Sequence, residues 1–315
     1  MSRVPTTIRG VVVATLAALA LGACSYSTTS LPPAKPPTDT SSPAAAASCT
    51  TTAADLRSYD PSRAGGTAVN RIKKAGVLRV GVSADTWLLG ARNASTNKIE
   101  GFDIDIAQRI ADELGVKIQL RVINAGQRIK LLDDRELDIV VRNMTINCTR
   151  WKDIAFSAEY YHAGQKVLLR SDLAAKYTGP QDLAEVKVCA PAGTTSIDNI
   201  REIQPEAVAE PADTHTGCLV KFQQGGVDAI TGDDTVLAGL VAQDKIYAAV
   251  PQQEALTDEP YGVGANQDDV DLVAFINAVL QQMRSDGTWQ KSYDKWLRPA
   301  LKVDPAPFQP AYGRR

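Results

Sequence analysis

From Val77 to Val141 the chain alternates compact apolar runs with amphipathic ones, and this alternation limits the fold more than any other feature. Val77-Leu78-Arg79-Val80-Gly81-Val82 has the length and apolar density of a buried strand. Gly101-Phe102-Asp103 then opens a helix, Ile104 to Leu114, with apolar residues near helical spacing and Gly115 as its stop. Val116 to Val122 reads as the next strand, Arg128 to Asp133 as a helix, and Leu137 to Val141 as a third strand, with a short amphipathic helix, Val69 to Gly76, ahead of them all. Such alternation builds a mostly parallel, doubly wound α/β sheet.

The pattern then restarts. Val167-Leu168-Leu169, Val186 to Ala190 and Ala229-Ile230 read as strands, and Thr195 to Ile203, Cys218 to Gln224 and Val236 to Ala242 as helices. Tyr261-Gly262-Val263-Gly264 is strand-like, and Val270 to Ser285 and Thr288 to Leu297 are helices whose apolar faces are available to pack back on the first unit. Lys302 to Arg315 is Pro-rich and reads as an extended tail. The expectation is two α/β units, with ligand held at the carboxyl ends of strands where the topology switches.

The N-terminus argues for export. Arg3 and Arg9 form a positive region, Gly10 to Leu21 is apolar but too short to span a bilayer, and Leu21-Gly22-Ala23-Cys24 follows. This layout fits a lipobox in which Cys24 is acylated and becomes the mature N-terminus; the alternative is an ordinary signal peptide with a chance cysteine. Two or more acyl chains would hold the protein on a membrane surface. Ser25 to Ala47 is Ser, Thr, Pro and Ala with almost no large apolar side chains, the composition of a tether. The remaining ~250 residues suffice for one large or two smaller domains. A net charge of −2 without a dense basic cluster sets nucleic-acid binding aside.

Without Cys24, four of the five cysteines remain: Cys49, Cys148, Cys189 and Cys218, an even number suited to an oxidising compartment. Three pairings are possible. We favour Cys189–Cys218, which lie within one segment, and Cys49–Cys148, which would pin the tether's end to the core. Metal binding is not expected, since no two thiols stand at CxxC spacing and His162 and His215 are the only histidines.

A cleft that holds a free α-amino acid needs a guanidinium and backbone N–H donors for the carboxylate, and a carboxylate with neutral acceptors for the ammonium. The strand-end stretch "RNMTINCTR", Arg142 to Arg150, offers a cation in Arg150, a hydroxyl and N–H in Thr145 and a free carbonyl in Asn143. "APAGTTS", Ala190 to Ser196, is a Gly-hinged loop before a helix, where N–H groups can face an anion. "VDAITGDDT" places Asp233 after a short strand, within reach of an ammonium. Each has an ordinary reading too: Arg150 as a surface ion pair, Asp233 and Asp234 as helix caps, Gly193 to Ser196 as a generic cap, Trp87 as core.

The order of these pieces resembles the type 3, polar amino acid, extracytoplasmic solute-binding proteins of ABC transporters. The resemblance runs from about Val69 to Leu297 and rests on "GVLRVGVSADTW", "IEGFDIDIAQRIADELG", "LDIVVRNMTINCTRWKDIAFSAEYY", "KVCAPAGTTS", "GGVDAITGDDTVL" and "DGTWQKSYDKWL". It implies an α/β, two-lobed clamshell with a two-strand hinge near Ala163 to Val167 and Glu259 to Val263. The corresponding division is a signal peptide over 1–23, a flexible tether over 24–67, lobe 1 over 68–165 and 261–298, lobe 2 over 166–260, and a tail over 299–315. It implies that Arg150 clamps the ligand α-carboxylate with the N–H groups of Thr145 and Thr195, beside Thr194. Asp233 then takes the α-ammonium with the Thr145 hydroxyl and the Asn143 carbonyl, and Trp87 walls the ligand's aliphatic part. The sequence departs from the family at Asn143, where glycine is common, and at Cys148, which suggests an added disulfide beside the site.

Arg92 and Arg142 are two further cations, and "GARN" and "RNMTINC" resemble glutamate-type binding lipoproteins of actinobacteria. A cation near the distal pocket favours glutamate or aspartate, with glutamine or asparagine as alternatives; either arginine could instead pair with Asp85, Asp103 or Asp138. The expectation is a monomer without cofactor or metal, tethered outside the cell membrane, that delivers the ligand to a permease. A membrane sensor reading the same clamshell is the alternative, and an enzyme on this scaffold would need an acid or base beside the clamp.

Overall fold

The computed structural model describes residues 49–315; the expected signal peptide and Cys24 lie outside the described residues. Along the first part of the chain run α1 (Thr67–Ala75), β1 (Val77–Val82), β2 (Asp85–Thr86), β3 (Gly90–Arg92), β4 (Ile99–Glu100), α2 (Phe102–Leu114), β5 (Lys117–Val122), α3 (Arg128–Asp133), β6 (Ile139–Val140) and β7 (Ile154–Phe156). Then come β8 (Tyr161–Arg170), α4 (Ser171–Ala174), β9 (Lys187–Pro191), α5 (Thr195–Ile203), β10 (Val208–Ala212), α6 (His215–Gln223), β11 (Ala229–Asp233), α7 (Asp234–Gln243) and β12 (Ala248–Ala249). The chain ends its regular structure with β13 (Thr257–Tyr261), β14 (Gly264–Asn266), α8 (Val270–Ser285), α9 (Thr288–Trp296) and α10 (Arg298–Leu301).

Two sheets organise these elements. The first has the order β5-β1-β6-β14-β7, the second β10-β9-β11-β8-β12 with β13 also on β8, and β2, β3 and β4 form a small antiparallel sheet. β5, β1 and β6 are parallel in the first sheet and β10, β9 and β11 in the second, whereas β8, which carries the expected Val167-Leu168-Leu169 strand, runs antiparallel to β11. Antiparallel strands enter where the chain changes lobe: β8 and β13 pair from Tyr161↔Tyr261 to Gln165↔Thr257, and β14 returns between β6 and β7. The chain thus crosses between the lobes twice, on adjacent strands. A continuous core under the first sheet includes residues of α1, α2, α8 and α9, and two smaller clusters line the second sheet.

Several boundaries depart from expectation for local reasons. Val116 is outside β5, because its N–H closes the end of α2 on the Ala111 carbonyl. The β10 edge strand and the small β2–β4 sheet have too few apolar residues for periodicity to mark them. The described part of the expected tether is not loose: Ser58 is fully buried, donates to the Phe156 carbonyl at 2.7 Å and accepts from Asn277 at 2.8 Å. The tail is held as well, with Phe308 edge-on to Trp289 at 5.8 Å and Ala311 bridged to Arg57. Disulfides join Cys49 to Cys148 and Cys189 to Cys218.

Gly101 sets the start of α2. Its φ is +148°, and a Cβ there would stand 2.3 Å from the Leu89 carbonyl oxygen. Gly101→Ala is therefore expected to cost about 2–4 kcal/mol, by strain and displacement of the β3 backbone. Calorimetry of the variant checks this: a melting temperature equal to the parent's would show that the β3–α2 junction yields.

Candidate functional site

The end of β6 builds one side of the cleft. Asn143 takes a positive φ of 35°, and its N–H donates to Asp103 Oδ2 at 2.8 Å, which anchors the turn on the first turn of α2. Thr145 pairs with Tyr261 of the crossing strand as an isolated antiparallel bridge. A 3-10 turn then carries Arg150, whose N–H donates to Asn147 Oδ1 at 2.9 Å and whose Nη1 donates to the Thr145 carbonyl at 2.7 Å. Arg150 is buried and forms no ion pair among the described residues, so it is not the surface pair that its type alone suggests.

The second lobe supplies the opposite side. Thr194 is the N-cap of α5, accepting from the Ile197 N–H, and Thr195 opens that helix. Gly193 stands at φ +72°, and a Cβ there would lie 2.8 Å from Gly126 Cα, so the backbones of the two lobes meet at this point. Asp233 occupies the N-cap position of α7 yet makes no capping bond. Its Oδ2 accepts from the Tyr261 hydroxyl at 2.6 Å, and its Oδ1 is buried without a partner among the described residues.

Three groups that the sequence reading did not single out complete the cleft. Arg128, at the start of α3, donates from Nε to the Ala125 carbonyl at 2.8 Å and from Nη2 across the cleft to the Gly193 carbonyl at 3.0 Å. His215, at the start of α6, is buried with Nε2 3.3 Å from the Thr231 carbonyl oxygen. Glu259, on β13, is 1% exposed; its Oε2 accepts from the hydroxyls of Thr145 at 2.5 Å and Thr195 at 2.7 Å, one from each lobe. Its Oε1 accepts from Asn199 at 2.9 Å and Thr257 at 2.7 Å. The one hint of Arg128 was a cation opening a short amphipathic helix, which reads equally well as a solvated end.

Some expectations change. The Asn143 carbonyl is not free, since Arg128 Nη1 approaches it at 3.5 Å; the unpartnered acceptor is the buried side-chain Oδ1. Arg92 is exposed and donates to the Asn97 carbonyl at 2.9 Å, closing its own hairpin. Trp87 is 48% exposed and lines a cavity of about 510 Å³ with Arg92 and Trp296 rather than the Arg150 cleft. Arg142, by contrast, is buried and donates from Nε to the Ile123 carbonyl at 3.0 Å, and none of the three suggested aspartates pairs with it. Asp138 is taken by Arg79 at 2.8 Å.

Burial dominates the electrostatics. It holds the Arg128 guanidinium well below its ordinary value, assisted by repulsion from Arg150 and Arg142, and lowers Arg142 and Arg150 too. It pushes Asp103 up to about 6 against hydrogen bonds from Tyr160 and Asn143, and His215 down to about 4. Asp233 is raised by burial and by the neighbouring Glu259. Among the described residues, Arg142 donates only from Nε and Arg150 only from Nη1 and its backbone N–H. The cleft therefore holds guanidinium donors in want of an anion, and an Asp233 oxygen and an Asn143 oxygen in want of donors.

The chain is similar to known proteins over most of its length. The chain is 37% identical over 239 residues to the glutamine-binding protein GlnH of an ABC transporter from Bacillus subtilis, covering 75% of this chain and 85% of that one. It is 31% identical over 228 residues to the glutamate-binding protein GluB of Corynebacterium glutamicum, covering 69% and 77%. Among solved structures, an ancestral amino acid-binding protein, a precursor of cyclohexadienyl dehydratase, superposes with a TM-score of 0.68 at 34% identity, over 73% of this chain and 99% of that one. The family model for bacterial extracellular solute-binding proteins, family 3, matches residues 78–299, and the chain belongs to that family.

Proposed function

We propose that this chain captures an amino acid with an acidic side chain outside the cell, anchored to the membrane through a lipid on Cys24, and hands it to the permease of an ABC transporter. The observation that carries this reading is the set of unmet valences in the buried cleft. Arg150 with the N–H groups at Thr145 and Thr195 suits an α-carboxylate, and Asp233 Oδ1 suits an α-ammonium. Beyond that pair, Arg142 donates only from Nε among the described residues, and its remaining guanidinium donors would be satisfied better by a second carboxylate than by an amide. The glutamine-binding and glutamate-binding relatives support ligands of this length, and the arginines favour glutamate or aspartate over glutamine or asparagine.

Arg150→Ala is expected to weaken amino-acid binding by about 2–5 kcal/mol, because the ligand carboxylate would be left buried and unpaired. Calorimetric titration giving the parent affinity would reject the carboxylate role. Arg142→Ala is expected to reduce affinity for glutamate and aspartate more than for glutamine and asparagine; equal losses for acids and amides would show that Arg142 only braces its strand.

The raised Asp233 carboxyl gives a pH signature in the ligand-free protein. Its unfolded value is near the ordinary 3.8 and its folded value lies above it. Between the two, the folded state keeps a proton that the unfolded chain has released, so this group's contribution to stability falls as pH rises. His215, lowered when folded, has the opposite slope, but only up to its ordinary value of 6.5. His162 is raised by its hydrogen bond with Glu159 and adds a fall of the same sign as Asp233. From pH 6.5 to 8, the ligand-free protein is expected to lose up to about 2 kcal/mol through Asp233, and Asp233→Asn to flatten the profile. Equal slopes in thermal melts of parent and variant would place the Asp233 titration elsewhere.

A further inference from the structure

We infer that Arg314 is a positioning residue for ligand binding, acting on Arg150 through Trp151. The inference rests on the role proposed above for Arg150. Arg150 and Trp151 are neighbours on one 3-10 turn, where successive side chains point about 120° apart. Arg150 sends its guanidinium to the Thr145 carbonyl at the cleft, while Trp151 is buried against Tyr59 and Phe156. Where the indole sits therefore decides where the guanidinium starts.

The indole is held from three directions. Tyr59 meets it edge-on at 6.3 Å and Phe156 at 5.5 Å, and its Nε1 donates to the Asp55 carbonyl at 2.6 Å. Arg314 closes the remaining face, with its guanidinium carbon 3.7 Å from the ring centroid. Arg314 is itself fixed by its backbone N–H on the Ser58 carbonyl at 2.9 Å and its Nε on the Arg57 carbonyl at 2.8 Å. Its Nη2 also approaches the Asp55 carbonyl, the acceptor that Trp151 uses, at 3.4 Å. It forms no ion pair among the described residues, so its charge is spent on an aromatic face and on carbonyls that together seat one turn. A residue that only tied the tail down would need the backbone bridge and not the stacked cation.

The test is a double-mutant cycle on the full chain, with L-glutamate and L-glutamine as probes and titration carried to millimolar ligand. Arg314→Ala is expected to weaken binding about tenfold, as a displaced binding group does, and to add no further loss in an Arg150→Ala background. Arg314→Lys, which keeps a cation over the ring, is expected to stay within about threefold of the parent and guards against a variant that merely unfolds. Parent affinity in folded Arg314→Ala, or losses that multiply in the double variant, would overturn the inference while leaving Arg150's own role intact. Parent affinity in Arg150→Ala would overturn both.

Discussion

The constraint on which the structure turns is the burial of three guanidiniums in one cleft, where Arg150 and Arg142 also repel Arg128. Arg128, Arg142 and Arg150 are each at most 7% exposed, and enclosing a charge without a partner is costly. The scaffold offsets part of that cost with carbonyls, through the Ile123, Ala125, Thr145 and Gly193 oxygens, and with the field of Glu259. It leaves the rest uncompensated. A site with charges left uncompensated favours a ligand that brings the missing ones over one that does not.

Glu259 shows how the two lobes share this burden. It lies on the crossing strand, belongs to neither wall, and takes a hydroxyl from each. All its hydrogen bonds come from neutral groups, so it adds negative potential near Arg150 without occupying a guanidinium donor. Arg128 spans the same gap in the other direction, from the start of α3 to the Gly193 carbonyl. The approach of Gly126 and Gly193 lets that bridge be short.

Much of this was legible in the sequence, and the failures have physical reasons. Elements whose burial follows a clean period, such as β1, α3, α5 and α8, were read at their observed bounds. The order of Arg150, Thr195 and Asp233 along the chain pointed to one cleft. Arg128, His215 and Glu259 were missed because a polar residue at a helix start, or a charged one within a short strand, looks the same whether it faces water or a cavity. Trp87 and Arg92 were overvalued for the converse reason: residue type suggested a wall and a cation, but the β3–β4 hairpin satisfies Arg92 locally, and Trp87, between β2 and β3, is half in solvent.

The bond between Cys49 and Cys148 also defines a route for mechanical load. Tension applied on the N-terminal side of Cys49 passes through the sulfurs to Cys148 and bypasses residues 50–147, including β1, β5 and β6. The first noncovalent structure to feel a pull is then the turn that carries Arg150, not the sheet beneath it. A tug from that side would bear on the jaw before it could unzip the fold.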